Sequence, residues 1–260
     1  MTETILKVEG ATRRFGGLVA VNAVSFEIGK GMACGLIGPN GAGKSTMFDL
    51  ITGVRPVSAG DIWFKGQRMT DAPAHARSPM GMARTFQIVR LFRGLSVLEN
   101  VMLGLHPRFA DGIIRALLGG KARAAQETAT RARAMEMLDF VGLADRAGAR
   151  IEEMTLGQLR LVDIARALTL GPDLLMLDEP AAGLNDAETD NLGVMLERLR
   201  KQGLSMLLVE HDVDFIMNAC DRIVVMDRGT KIADDVPARV RTDPAVIAAY
   251  IGQRAAHAAH

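Results

Sequence analysis

The chain predicts an α/β fold built on a mostly parallel sheet, and three observations carry that prediction. A short apolar run, Met32-Ala-Cys-Gly-Leu-Ile, leads into a glycine-rich stretch, Gly38-Pro-Asn-Gly-Ala-Gly-Lys-Ser-Thr, and then into a helical pattern over 46–51. In the last third, apolar strands over 174–177, 205–209 and 222–226 alternate with helical patterns over 187–201 and 213–219. Such alternation implies parallel strands joined by right-handed crossovers. From about residue 87 to 171, helical spacing recurs over 98–105, 121–141 and 158–170 without a convincing strand, as in a helical lobe inserted into an α/β core.

The elements follow in chain order. Ile5-Leu-Lys-Val-Glu and Val24-Ser-Phe-Glu-Ile alternate apolar and polar residues, the pattern of half-buried strands in an edge sheet. Asp61-Ile-Trp-Phe is a further short strand after the turn signal Ser58-Ala-Gly. The run Leu174-Leu-Met-Leu is apolar throughout, which suits a central strand covered on both faces. In the lobe, Arg123, Arg131 and Arg133 read as a solvated helix face. The glycines of 108–120 suggest a loop within that lobe. The tail after Gly252, ending Ala-Ala-His-Ala-Ala-His, is expected to fray, with no metal role for His257 or His260.

Composition narrows the class. Of 260 residues, 48% are hydrophobic and 23% charged, which fits a globular chain and excludes a disordered one. A net charge of +1 gives no reason to expect nucleic acid as a partner. Cys34 and Cys220 read as small buried thiols. The fifteen methionines against 4% aromatics read as adaptable core filling. No apolar run reaches bilayer-spanning length and the N-terminus lacks a leader layout, so any link to a membrane is expected to pass through another polypeptide.

The glycine-rich stretch fits the pattern G-x-x-x-x-G-K-[ST], in which inward-facing backbone N–H groups cradle phosphate oxygens. Its residues Gly38, Pro39, Asn40, Gly41, Ala42, Gly43, Lys44, Ser45 and Thr46 are the expected triphosphate contacts. Lys44 supplies a cation for the β/γ-phosphates, Ser45 a hydroxyl for Mg²⁺, and the following helix its positive end. The run at 174–177 ends in Asp178-Glu179. Parallel strands present their C-terminal ends to ligands, so Asp178 is expected beside Mg²⁺ and Glu179 beside an attacking water. The alternative is two acids capping the next helix. Ser205-Met-Leu-Leu-Val leads likewise to Glu210-His-Asp, where His211 could bond a γ-phosphate or simply make local bonds at a helix start. His75 and His106 lie outside any such pattern.

Those elements, in this order, resemble the ATPase subunits of ABC transporters over essentially the whole chain. The resemblance implies a P-loop NTPase with a mostly parallel central sheet, an N-terminal antiparallel β-subdomain and an inserted α-helical subdomain. It divides the chain into an ATP-binding core, 1–86 and 172–252, a helical subdomain, 87–171, and a flexible tail, 253–260. Gly38-Pro-Asn-Gly-Ala-Gly-Lys-Ser-Thr matches the Walker A loop and Leu174-Leu-Met-Leu-Asp-Glu the Walker B strand. Gln87, in Arg84-Thr-Phe-Gln, matches the glutamine that senses metal and permease. His211 matches the switch histidine, and Phe15 the aromatic that stacks on adenine, although a strand-edge hydrophobe would read the same way. Met154-Thr-Leu-Gly-Gln occupies the signature position, assigning Thr155, Gly157 and Gln158 to the γ-phosphate. Thr155 stands where Ser is usual and Leu156 where Gly or Tyr is common, and Asn185 replaces a frequent Asp.

The family implies ATP and Mg²⁺, a second ATPase subunit (a copy or a paralogue) and hydrolysis in a dimer that sandwiches two nucleotides. It also implies two integral-membrane permeases at the cytoplasmic face of the inner membrane. Arg13-Arg-Phe-Gly-Gly, Ala83-Arg-Thr-Phe-Gln and the closing Asp243-Pro-Ala-Val-Ile-Ala-Ala-Tyr-Ile-Gly resemble the branched-chain amino acid importer ATPases of bacteria, whose systems include a periplasmic solute-binding protein. Related ATPases serve urea, amide, aromatic-acid or lipopolysaccharide transport, and soluble ABC ATPases or ATP-binding regulatory modules are the more distant alternatives.

Overall fold

The computed structural model describes residues 3–85, 90–105 and 120–257, the side chains of 120–123 and 252–257 excepted. Two sheets stack with a helix between them. The first is antiparallel, in the order β2-β1-β4-β5, from β1 (Thr4–Phe15), β2 (Leu18–Gly29), β4 (Ala59–Phe64) and β5 (Gln67–Arg68). The second runs β10-β9-β3-β8-β7-β6. Its strands are β3 (Ala33–Ile37), β6 (Met82–Arg84), β7 (Leu174–Asp178), β8 (Ser205–Val209), β9 (Arg222–Asp227) and β10 (Thr230–Asp235). All neighbours in it are parallel except the β9–β10 pair at the edge.

The apolar runs of the parallel strands serve two cores at once, because successive side chains leave opposite faces. Cys34, Leu36, Leu174, Met176, Leu207, Val209 and Val224 join a core shared with the first sheet and α1 (Lys44–Thr52). Ile37, Leu175, Leu177, Leu208, Ile223 and Val225 face the opposite core. That second core also takes in α6 (Asp186–Lys201) and α7 (Val213–Ala219), through Leu192, Leu196, Phe215 and Ile216.

Between β6 and β7 the chain forms the helical part, α3 (Val97–Met102), α4 (Gly120–Phe140) and α5 (Leu156–Leu168). Val97, Val101, Leu138 and Val162 seal it. Five short strands and α-helices went unpredicted, β5, β6, β10, α2 (Ala74–Arg77) and α8 (Pro237–Val240), as did the longer C-terminal helix α9 (Pro244–His257). The expected tail at 253–260 begins inside α9. Gln87, His106 and most of the expected loop at 108–120 lie outside the described residues. So do the side chain of His257 and all of His260.

Candidate functional site

Strands β3, β8 and β7 are neighbours in the sheet and all point the same way, so the segments after their C-terminal ends emerge side by side. After Ile37 comes the glycine-rich loop, after Val209 comes Glu210-His211, and β7 ends in Asp178 with Glu179 next. The resulting cleft, about 640 Å³, is lined by Asn40 to Thr46, Glu179 and His211, with Leu18, Val19, Ala20, Arg228 and Gly229 along its rim.

The loop ends at an open helix start. The residue capping α1 is Gly43, at φ +98, with no side chain to accept from the first amides and no acidic residue in the first turn. By contrast α3, α5 and α6 close their own starts with capping boxes, Ser96/Glu99, Thr155/Gln158 and Asn185/Glu188. Free N–H groups and an unbalanced helix dipole make the start of α1 an anion site. Glycine is required at 43 twice over: the backbone is left-handed, and a Cβ would sit 2.5 Å from the Ala20 carbonyl oxygen. The loop is braced from outside by Gly229, whose amide donates to the Ala42 carbonyl at 3.0 Å.

Lys44 is buried, and its ammonium donates to the carbonyls of Gly38 at 2.6 Å and Pro39 at 3.0 Å. Burial lowers its pKa, and the Glu179 carboxylate opposes that. Glu179 itself adopts φ +50, a left-handed backbone that costs a side-chain-bearing residue about 1–2 kcal/mol. The turn is held by the Glu179 amide, donating to the Val209 carbonyl at 2.8 Å. Buried Glu210 also holds it, accepting from the Ala181 amide at 2.6 Å and from its neighbour's amide, His211, at 3.0 Å. The result aims Glu179 Oε1 at His211 Nε2, 2.6 Å away. His211 therefore does not serve as the local cap: Asp212 caps α7, accepting from the Phe215 amide. Nor do Asp178 and Glu179 cap the next helix, since Asn185 does.

Asp178 is buried and its amide donates to the Thr85 hydroxyl at 3.4 Å. Desolvation raises its pKa, and the Arg84 charge pulls the other way. A buried carboxylate and the Ser45 hydroxyl are hard oxygen donors of the kind Mg²⁺ takes. Mg²⁺ binds through one or two such groups, with substrate phosphates and water completing its shell. No cluster of three or more acidic, histidine or cysteine ligands exists among the described residues. The residues fit that ion.

Phe15 ends β1 beside the cleft rather than in its lining, with the guanidiniums of Arg13 and Arg55 at 4.7 and 5.3 Å from its ring centre. Thr155, Gly157 and Gln158 are absent from the lining as well. Gly157 packs on the segment after Glu179, where a Cβ would lie 2.5 Å from the Glu188 carboxylate, and Leu156 lies under Gly183, while Thr155 and Gln158 bond each other in the capping box of α5. The sequence reading missed Leu18 to Ala20, Glu210 and Arg228-Gly229. Of these, the turn at 228–229 carried a signal, a glycine closing an apolar run.

A buried-lysine loop, an uncapped helix and an acid pair at adjacent strand ends define a nucleotide-binding α/β cassette. Residues 21–182 match the family described as ABC transporter, and residues 230–256 the family described as branched-chain amino acid ATP-binding cassette transporter. Similar curated proteins include the high-affinity branched-chain amino acid transport ATP-binding proteins LivG of Escherichia coli (strain K12), 39% identical, and BraF of Pseudomonas aeruginosa, 38% identical. Each alignment spans 97% of this chain and 100% of the relative. Among solved structures, a nucleotide-free ATP-binding cassette from an ABC transporter superposes with a TM-score of 0.83 at 28% identity, over 95% of this chain and 98% of that one. The ADP conformation of another such cassette gives 0.81 at 28%, over 96% and 100%. This chain belongs to the ABC transporter ATP-binding family.

Proposed function

We propose that this chain is the ATP-hydrolysing subunit of an importer for branched-chain or related amino acids, working at the cytoplasmic face of the membrane through partner permeases. One observation carries the reading: Lys44, Glu179 and His211, carried by the segments that follow three adjacent strands, line one cleft at an uncapped helix start, and Asp178 precedes Glu179 at the end of β7.

In the proposed cycle the amides of residues 38–46 and the Lys44 ammonium hold the β- and γ-phosphates, and Phe15 offers its ring to adenine. Ser45 and Asp178, with Gln87, would hold Mg²⁺, which supplies charge neutralisation on the phosphates. Glu179 accepts a proton from water as its oxygen bonds the γ-phosphorus and the bond to the ADP oxygen breaks. His211 holds the Glu179 carboxylate and reaches the γ-phosphate. Thr155, Gly157 and Gln158 are not among the residues lining their own cleft, which favours their use on the nucleotide of a second ATPase subunit, a copy or a paralogue.

Permease contact is assigned to the groove between core and helical part, about 500 Å³, lined by Arg84, Arg90, Phe92, Gly104 and Arg166. Phe92 is 59% exposed there, an apolar anchor for a permease helix. Among the described residues no helix is long and apolar enough to cross a membrane, so attachment through permeases is the route proposed. The test is affinity capture of the tagged chain from its own membranes, followed by reconstitution in vesicles with the captured permeases and a solute-binding protein. ATP-driven leucine uptake is expected. Capture without any integral-membrane protein would refute the transporter reading, and uptake of urea or amides alone would refute the solute assignment.

A further inference from the structure

We propose that Asp49, in the last turn of α1, is a positioning residue for the nucleotide base, acting on Phe15 through Arg55. The inference rests on the reading that Phe15 receives adenine and that the start of α1 receives phosphate. Phe15 stands at the end of β1, partly exposed, and belongs to neither core. Its ring lies under two guanidiniums, those of Arg13 and Arg55, 4.7 and 5.3 Å from the ring centre. A cation at that range is drawn to the aromatic face. Arg13 in turn donates to the Pro56 carbonyl at 2.8 Å, so both cations are tied to the turn that follows α1.

Asp49 governs that turn with both its carbonyl and its carboxylate. The carbonyl accepts from the amides of Val54 at 3.0 Å and Arg55 at 3.2 Å. Carboxylate oxygen Oδ2 accepts from Arg55 Nε at 3.0 Å, and Oδ1 lies 3.6 Å from Arg84 Nη1. Arg84 is itself anchored, donating to the Thr52 hydroxyl at 2.9 Å, and so keeps the carboxylate from turning. One helix thus carries the phosphate site at its start and, at its end, the acid that steadies the base platform. Arg84 also lines the groove assigned to the permease, so groove and base seat share a single carboxylate.

Inorganic pyrophosphate makes the test direct, because it offers the loop its phosphates without a base. In Asp49→Asn the Kd for ADP, measured by calorimetry, should rise about three- to fivefold, the scale of one partly exposed ion pair. The Kd for pyrophosphate should stay that of the parent. A carboxylate in the last turn opposes the helix dipole, so this variant does not weaken α1 itself. A merely structural loss in α1 would weaken both ligands alike. Arg55→Met should reproduce the base-selective loss, and the double variant should lose no more than Arg55→Met alone. An ADP Kd raised less than about twofold in Asp49→Asn, an equal loss for pyrophosphate, or additive losses in the double variant overturns the proposal. Phe15→Ala binding ADP as tightly as the parent would instead overturn the base-seat reading beneath it.

Discussion

Replacing Arg77 by methionine should destabilise the protein by about 3–5 kcal/mol, the cost of leaving the carbonyls of Ile51, Thr70 and Ala72 without a donor. Arg77 is 2% exposed and its guanidinium donates to five carbonyls. They are Leu50 at 2.9 Å and Ile51 at 2.5 Å, in the last turn of α1, and Met69 at 2.9 Å, Thr70 at 3.4 Å and Ala72 at 2.9 Å on the neighbouring segment. The last carbonyls of a helix have no intrahelical partner, and here one side chain satisfies two of them while placing a cation at the negative end of α1. Methionine matches the length and the apolar stem but offers no donor. Each carbonyl left dry costs about 1–3 kcal/mol. Burial already opposes the arginine's charge, lowering its pKa to about 10, so releasing that cation returns part of the loss. Urea unfolding followed by circular dichroism gives the difference. A loss below about 1 kcal/mol would refute the claim that Arg77 anchors the far end of the phosphate-binding helix.

The remaining expectations concern the cleft. Glu179→Gln should bind ATP yet turn over about 10²–10⁴ times more slowly, the usual share of a general base, and it should accumulate as an ATP-bound dimer on gel filtration. Hydrolysis at the parent rate would exclude Glu179 as the base. Lys44→Ala should lose ATP affinity in calorimetry, and unchanged affinity would place the phosphates elsewhere. On the proposed reading protons compete with Mg²⁺ for Asp178, whose pKa is raised by burial. Mg²⁺-dependent nucleotide affinity should therefore weaken as pH falls, beginning above the ordinary aspartate range. Metal titrations at several pH values, with Asp178→Asn as reference for the nucleotide's own protons, check the sign; identical pH profiles would reject it.

What could be foreseen divides along physical lines. The long apolar strands and the loop between Ile37 and Lys44 were legible because backbone period and phosphate chemistry both restrict residue choice. The helix predicted over 213–219 is α7 as found. Strand β6 was not legible: Met82-Ala-Arg is three residues with no β-branched side chain, and its pairing with β7 makes it a strand. Strand β10, Thr230-Lys-Ile-Ala-Asp-Asp, is polar because it lies at an edge. In the site, residue types pointed to Lys44, Glu179 and His211, which line one cleft, and to Asp178, which is not among its lining residues. The bond from His211 to Glu179 follows from sheet order, which no local pattern encodes. Arg77 acts through folded geometry alone, and nothing in Ala74-His-Ala-Arg sets it apart.

The bare start of α1 has a thermodynamic consequence for the whole subunit. Helices α3, α5, α6 and α7 finish their starts with their own side chains, whereas this one is completed by something that diffuses in. A polyphosphate that occupies it at a hundred times its Kd contributes about 2.7 kcal/mol of folding free energy by mass action. Nucleotide is in that sense a missing piece of the fold as well as its fuel, and a cell depleted of adenylates would hold a softer, more easily proteolysed protein.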